Sequence, residues 1–181
     1  FIIYDFISKE VYGARDRYGI KPLYYHDSGN GNYVFSSEAR SIRKYFDNKI
    51  SFNKNKISEF VVFGYSADQE SFYEKINMLQ PGHSFLIKNN SIKIYKEWEP
   101  FSNHEEEIEI SEKNALEKLK NIFEESINLW STSDVPVGSL MSGGIDSSMV
   151  TNCAKKNNII KSFSVIFPDD QDINEQKNIE E

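Results

Sequence analysis

The sequence predicts two architectures in series, an α+β antiparallel layer over residues 1–100 and an α/β unit over residues 111–181. Three observations carry that division. Short runs of aromatic and β-branched residues, separated by clusters of turn formers, fill the first half and suit a half-buried antiparallel sheet. Residues 101–110 carry Glu105, Glu106, Glu107 and Glu109 with little apolar content, and read as a solvated linker. A helix, a short apolar run, a glycine turn, a second helix and a second apolar run then follow, and the last four are the parts of one βαβ unit.

In order along the first half, residues 1–7 alternate bulky apolar side chains and predict a strand, residues 8–10 a turn, and residues 11–14 a return to extended structure. Residues 23–26 and 33–36 are two more strands around a turn dense in Asp, Ser, Gly and Asn, which completes an antiparallel meander. Tyr12, Tyr18, Tyr24, Tyr25 and Tyr33 are expected to pack in its core. Residues 37–45 predict a short helix. Asn53 is a natural N-cap for a second helix through Ile57, Phe60 and Val61, and Gly64 is placed to stop it. Pro81-Gly82 marks a turn, and Asn89-Asn90 joins the strands 85–87 and 92–95 into a closing hairpin.

In the second half, Ser111 caps an amphipathic helix that reaches Trp130. Leu116, Leu119, Phe123, Ile127 and Trp130 repeat at helical spacing and predict one buried stripe, opposite Lys113, Glu117, Lys120, Glu124 and Asn128. Residues 135–141 read as a buried strand, residues 149–156 as a helix and residues 160–167 as a second buried strand. A parallel pair joined this way takes a right-handed crossover.

With 39% hydrophobic and 27% charged residues among 181, the chain can build a core and is not disordered throughout. A net charge of -7 excludes a general nucleic-acid binder, which needs basic patches, but not a local phosphate site built from backbone amides. Cys153 stands alone, so no intramolecular disulfide forms; it reads as a small buried residue. No apolar run is long enough to span a bilayer, and no signal peptide is visible. The chain opens on Phe1 rather than Met and is expected to be an internal piece of a longer protein.

The chemistry concentrates in Leu140-Met141-Ser142-Gly143-Gly144-Ile145-Asp146-Ser147-Ser148. Gly143 and Gly144 let the backbone bend and approach a ligand closely. The turn opens a helix, whose leading N–H groups and dipole favour an anion. Ser142, Ser147 and Ser148 add hydroxyls. Asp146 beside a polyphosphate is repulsive unless a cation lies between them, so the loop implies a nucleotide with Mg²⁺ held by Asp146. A bare Gly-Gly turn would be structural; the full stretch between a strand and a helix points to a phosphate site. Elsewhere the structural readings prevail. Arg15, Asp16, Arg17 and Glu38 are expected to pair with one another, His26 and His104 to lie on the surface, and His83 to serve its turn. No histidine pair has metal-ligand spacing and no nucleophile elbow is present.

Residues 133–148 resemble the start of the synthetase domain of glutamine-hydrolysing asparagine synthetases. Independently, Ala14-Arg15-Asp16-Arg17-Tyr18-Gly19-Ile20-Lys21-Pro22-Leu23-Tyr24-Tyr25, Phe35-Ser36-Ser37-Glu38, Phe63-Gly64-Tyr65 and Leu79-Gln80-Pro81-Gly82-His83 resemble the second half of a class II glutamine amidotransferase domain. The resemblance implies the C-terminal half of an antiparallel Ntn-type glutaminase sheet layer in residues 1–100. It implies a linker at 101–110, and in residues 111–181 the first βαβ unit of a parallel doubly wound ATP-pyrophosphatase domain.

The implied reaction is aspartate activation by ATP to β-aspartyl-AMP with loss of pyrophosphate, then attack by ammonia released from glutamine. It places Met141, Ser142, Gly143, Gly144, Asp146, Ser147 and Val165 at ATP and pyrophosphate, with Asp146 on Mg²⁺. Glutamine, aspartate and ATP are the implied substrates, without nucleic acid or membrane, in a cytoplasmic protein whose whole length is compatible with a homodimer. No catalytic residue falls within the chain, since the family's nucleophilic cysteine and main glutamine-pocket residues belong to a segment upstream. Ile166 stands where the family usually has glycine, and Asn174-Glu175 where it often has Asp-Glu. Two alternatives stay open: amidation of a sugar acid or secondary-metabolite carboxylate, or an inactive truncated remnant.

Overall fold

The computed structural model describes residues 1–66, 68, 70–100, 109–156 and 161–166. The chain divides into two compact units, Phe1–His104 and Glu105–Glu181. The first contains β1 (Ile2–Asp5), β2 (Glu10–Ala14), β3 (Tyr24–Asp27), β4 (Tyr33–Ser36), α1 (Ala39–Tyr45), α2 (Lys54–Phe63), β5 (Ile76–Met78), β6 (His83–Lys88) and β7 (Ser91–Lys96). The second contains α3 (Glu112–Trp130), β8 (Ser139–Leu140), α4 (Ile145–Lys155) and β9 (Ser162–Phe163). No helix among the described residues is long and apolar enough to cross a membrane.

Local chemistry makes the first hairpin. The Asp5 carboxylate accepts from the Ile7 amide and the Ser8 hydroxyl, both at 2.8 Å, and Lys9 takes the left-handed conformation that returns the chain into β2. The expected single meander is nevertheless two sheets, in the orders β1-β2-β6-β7 and β4-β3-β5. β2 pairs antiparallel with β6, not with β3.

The loop after β2 causes this. The Arg15 guanidinium donates to the carbonyls of Lys21 at 3.0 Å, Leu79 at 2.6 Å and Gly19 at 2.7 Å. The Asp16 carboxylate accepts from the amides of Ile20 and Lys21 at 2.8 and 3.0 Å. The chain is thereby folded off the first sheet before β3 begins. The expected pairing among Arg15, Asp16, Arg17 and Glu38 is therefore corrected: Arg15 and Asp16 serve backbone groups, and Glu38 pairs with Arg40 at 2.6 Å.

The β5 strand has no counterpart in the sequence reading, because three residues are too few to show a period. His26, expected on the surface, is only 8% exposed. Its Nδ1 donates to the Lys75 carbonyl at 2.7 Å and its ring meets Phe46 edge-on. Tyr18, expected in the core, is 73% exposed. The α2 boundaries match: the Asn53 side chain accepts from the Lys56 amide at 3.3 Å, and Gly64 ends the helix at φ 77°.

In the second unit the Ser111 side chain caps α3, accepting from the Asn114 amide at 3.4 Å. β8 and β9 pair in parallel, Ser139 with Ser162 and Leu140 with Phe163. Both strands are shorter than expected, and α4 starts at Ile145 rather than Met149, because Gly144 already has N-cap geometry. The α3 stripe is not a buried one. Leu116, Leu119 and Trp130 are exposed, and Phe123 and Ile127 are half-buried, since α4 covers only part of the stripe among the described residues. The linker expectation falls mostly on residues 101–108, and those on Ile160, Phe167, His104 and Asn174-Glu175 fall wholly outside the described residues.

The core of the first unit turns on Gly13. It lies opposite Phe85 in the β2–β6 register, and a Cβ there would sit 2.4 Å from the Phe85 ring. Phe35 of the second sheet stacks on Phe85 at 4.7 Å and 8° between planes. Gly13→Ala is expected to lower the stability of the chain by about 1–3 kcal/mol through displacement of this ring. Urea unfolding followed by near-UV circular dichroism measures it, and an unchanged midpoint would remove the assigned role of the Gly13–Phe85 contact.

Candidate functional site

The second unit presents its polar groups where β8 gives way to α4. The strand end is fixed first: the Ser139 amide donates to the Lys161 carbonyl at 3.0 Å and the Met141 amide to the Phe163 carbonyl at 2.9 Å. The chain then bends through Gly143 at φ 83°, a conformation that costs any residue with a Cβ.

Within the loop, the Ser147 hydroxyl is the hub. It donates to the Gly144 carbonyl at 3.1 Å and accepts from the Ser142 amide at 3.2 Å. The Ser142 hydroxyl lies 3.1 Å from it and also accepts from the Gly144 amide at 3.4 Å. Ser142 and Ser147 thus close the loop on itself, a role that composition alone did not reveal.

Gly144 is the N-cap of α4 and supplies no side-chain cap. The first intrahelical bond runs from the Ser148 amide to the Gly144 carbonyl at 3.1 Å, so the amides of Ile145, Asp146 and Ser147 lie ahead of it. Donors at a helix N-terminus suit an anion. Asp146 is exposed on the first turn, where an acid also complements the helix dipole, so its position alone is not diagnostic.

Among the described residues no group of three or more His, Cys, Asp or Glu side chains could hold a metal ion. The donor set is one exposed carboxylate beside the leading amides of α4. That fits Mg²⁺, which takes one or two carboxylates and completes its shell with phosphate oxygens and water.

The fold brings Met141, Ser142, Gly143, Gly144, Asp146 and Ser147 together between β8 and α4. Met141 is half-buried. Val165 lies past the end of β9, outside any strand and 71% exposed. Behind the loop, the hydroxyls of Ser139 on β8 and Thr151 on α4 meet at 2.7 Å. Neither residue stood out in the sequence, because the pairing depends on the strand and helix already being packed.

An apolar groove of about 730 Å³ runs between α3 and α4, lined by Leu116, Leu119, Phe123, Met149, Val150 and Cys153. Cys153 is half-buried on its wall rather than enclosed as expected. Lys156 bridges to Glu124 at 2.8 Å across the groove. That hydrogen bond holds the Glu124 carboxyl below its ordinary value and raises the Lys156 ammonium.

Residues 1–99 match the family described as glutamine amidotransferase domain, and residues 118–181 the family described as asparagine synthase. The asparagine synthetase [glutamine-hydrolyzing] 1 of Bacillus subtilis (strain 168) is 32% identical over 92% of the chain and 26% of its own length. The asparagine synthetase [glutamine-hydrolyzing] 3 of the same organism is 28% identical over 85% of the chain and 25% of its own length. A putative asparagine synthetase [glutamine-hydrolyzing] 2 of Methanocaldococcus jannaschii is 29% identical over 86% of the chain and 30% of its own length. The chain thus spans about a quarter of the length of these relatives.

The Glu124–Lys156 bridge predicts a pH dependence. Glu124 is lowered, so its contribution is present above the ordinary carboxylate range and is lost as pH falls through the folded value. Lys156 is raised, so its contribution is present below the ordinary ammonium range and is lost as pH rises through the folded value. Lys156 is exposed and Glu124 only half-buried, so the effect is small and screened. The Tm of the wild-type chain should fall toward that of Lys156→Gln at both extremes, and the gap should close in about 1 M salt. A gap unchanged by salt would exclude the ion pair as its origin.

Proposed function

The chain belongs to the glutamine amidotransferase domain family through residues 1–99 and runs on into an asparagine synthase match at 118–181, and from that premise we propose that it is part of a glutamine-dependent asparagine-forming ligase. The observation that carries the reading is the order of those two matches in one chain, with the loop from Ser142 to Ser147 at the head of α4 in the second. In this reading residues 1–100 belong to an Ntn-type glutaminase layer. Residues 111–181 open a doubly wound ATP-pyrophosphatase domain, and the parallel β8–β9 pair supports that assignment.

ATP would bind with its phosphates over the amides of Ile145, Asp146 and Ser147. Met141 and Val165 would hold the adenosine part, and Asp146 would share Mg²⁺ with the phosphate oxygens. The substrate carboxylate attacks the α-phosphorus, the bond from that phosphorus to the bridging oxygen breaks, and pyrophosphate leaves. Ammonia from glutamine then attacks the acyl carbon, a proton is lost, and AMP departs. Within this chain, the loop residues bind and orient the phosphates; the acceptor contacts are not among them. The setting proposed is cytoplasmic, where ATP and glutamine are both supplied.

ATP–pyrophosphate exchange in the whole protein tests the acceptor. Exchange should depend on aspartate; exchange with a sugar acid and none with aspartate would overturn the choice. Asp146→Ala should abolish Mg-ATP-dependent adenylation, with glutamine hydrolysis as the control for folding, and adenylation at the wild-type rate would refute the metal assignment.

The two glycines should separate. A Cβ on Gly144 would meet the Ser142 Oγ at an ordinary 3.5 Å, whereas Gly143 has φ 83°. Gly143→Ala should destabilise the chain by about 1–2 kcal/mol. Gly144→Ala should cost up to about 1 kcal/mol, since alanine is a poor N-cap, and should in addition weaken ATP binding, since its methyl would stand where a phosphate approaches. Full ATP affinity in Gly144→Ala would contradict close approach at that residue.

A further inference from the structure

The geometry points to the hydroxyl pair of Ser139 and Thr151 as a positioning device that sets the aim of the α4 amides, an inference that rests on the phosphate-site reading above. Four observations build it. Ser139 is 9% exposed, and its hydroxyl meets the Thr151 hydroxyl at 2.7 Å. Its amide is bonded to the Lys161 carbonyl at 3.0 Å, so the same residue is tied to β9 by its backbone and to α4 by its side chain. Thr151 lies about two turns into α4, behind the loop rather than in it. Residues 140–150 are therefore a span pinned at both ends, by Ser139 in the strand and Thr151 in the helix.

The pair does what an apolar contact would not. A hydrophobic contact between strand and helix is non-directional and tolerates small rotations and slides. A short hydroxyl–hydroxyl bond in a largely buried place fixes both the distance and the azimuth of α4 against β8. The amides of Ile145, Asp146 and Ser147 point along the helix axis, so a change in the tilt of α4 moves all of them together. The remaining bonds of the loop, from Ser142 and Ser147, are made within residues 142–147 and move with it. They fix the shape of the loop and leave its orientation on the sheet to contacts behind it.

Neither hydroxyl belongs to the ligand-contacting set, so Ser139 and Thr151 act through Ile145, Asp146 and Ser147. The expected signature is weaker ATP binding with a retained fold, rescued by any side chain that restores the bond. Ser139→Ala and Thr151→Val in the whole protein should each raise the Kd for Mg-ATP about tenfold, measured by titration calorimetry, and raise KM for ATP more than they lower kcat. Thr151→Ser keeps the hydroxyl and should bind within about twofold of wild type. The Ser139→Ala and Thr151→Val double variant should be no weaker than either single one, because each already breaks the same bond.

Thermal unfolding is run on every variant. Single variants that keep wild-type ATP affinity overturn the proposal. So does a Thr151→Ser variant as weak as Thr151→Val, or a double variant whose losses add in full. If wild type itself binds no Mg-ATP, the phosphate-site reading falls and the positioning role falls with it. If wild type binds and only the positioning variants behave like wild type, the site reading stands and this inference alone is lost.

Discussion

Phe85 sits fully buried, with Gly13 of its own sheet on one side and Phe35 of the second sheet on the other, and the first unit depends on that sandwich. A ring can lie this close to a strand's backbone only where the strand offers no Cβ, so the absence of a side chain at Gly13 creates the slot that Phe85 fills. The parallel stack with Phe35 then joins two sheets that share no ladder. A second clasp works at the far end of β6. The Tyr33 hydroxyl of β4 accepts from the Ile92 amide at 3.1 Å and reaches the Asn90 carbonyl at 3.4 Å. Gly31 lies so close to Asn90 that a Cβ would fall 2.2 Å from its side chain. Gly13 makes room for a bulky neighbour of its own sheet, and Gly31 for Asn90 in the hairpin turn of the other.

The second unit is held differently. Its buried apolar content among the described residues is slight, with Ala154 the one α4 residue that is buried. Backbone bonds between β8 and β9, hydroxyl bonds in and behind the loop, and the Glu124–Lys156 bridge supply the definition that a core would otherwise give. Such bonds are directional, and a ligand site needs direction more than bulk. Leu116, Leu119 and Trp130 of α3 form an apolar stripe left exposed among the described residues.

What the sequence made legible follows the range of the interaction that decides each feature. Caps and turns are decided within a few residues, so Asn53, Gly64, Ser111 and the Asn89-Asn90 turn could be read directly, and the two asparagines do take φ 50° and 59°. The partition into two sheets is decided by Arg15 reaching the Leu79 carbonyl across 64 residues of chain, and periodicity carries no trace of that. His26 was misjudged for the same reason: its polar neighbours in sequence suggested the surface, whereas its burial comes from Phe46 and Lys75. At the candidate site, the composition of the loop was visible and the inward turn of Ser147 was not, since its partners become neighbours only after Gly143 has bent the chain.

The capping of the helices bears on what that loop is for. α2 and α3 each begin with a side chain that occupies a leading amide, from Asn53 and from Ser111, whereas α1 and α4 have no side-chain cap. α4 begins at a glycine although serines stand on both sides of it, at 142 and 147, either of which has the chemistry of a cap. Both hydroxyls are instead engaged with each other and with the loop backbone. A sequence selected only for helix stability would place Ser or Asp at position 144 and gain a few tenths of a kcal/mol over glycine. Glycine there forgoes that gain and leaves the leading amides of α4 without a side-chain cap. On the proposed reading the phosphates take that place, since a row of leading amides at a helix N-terminus suits an anion.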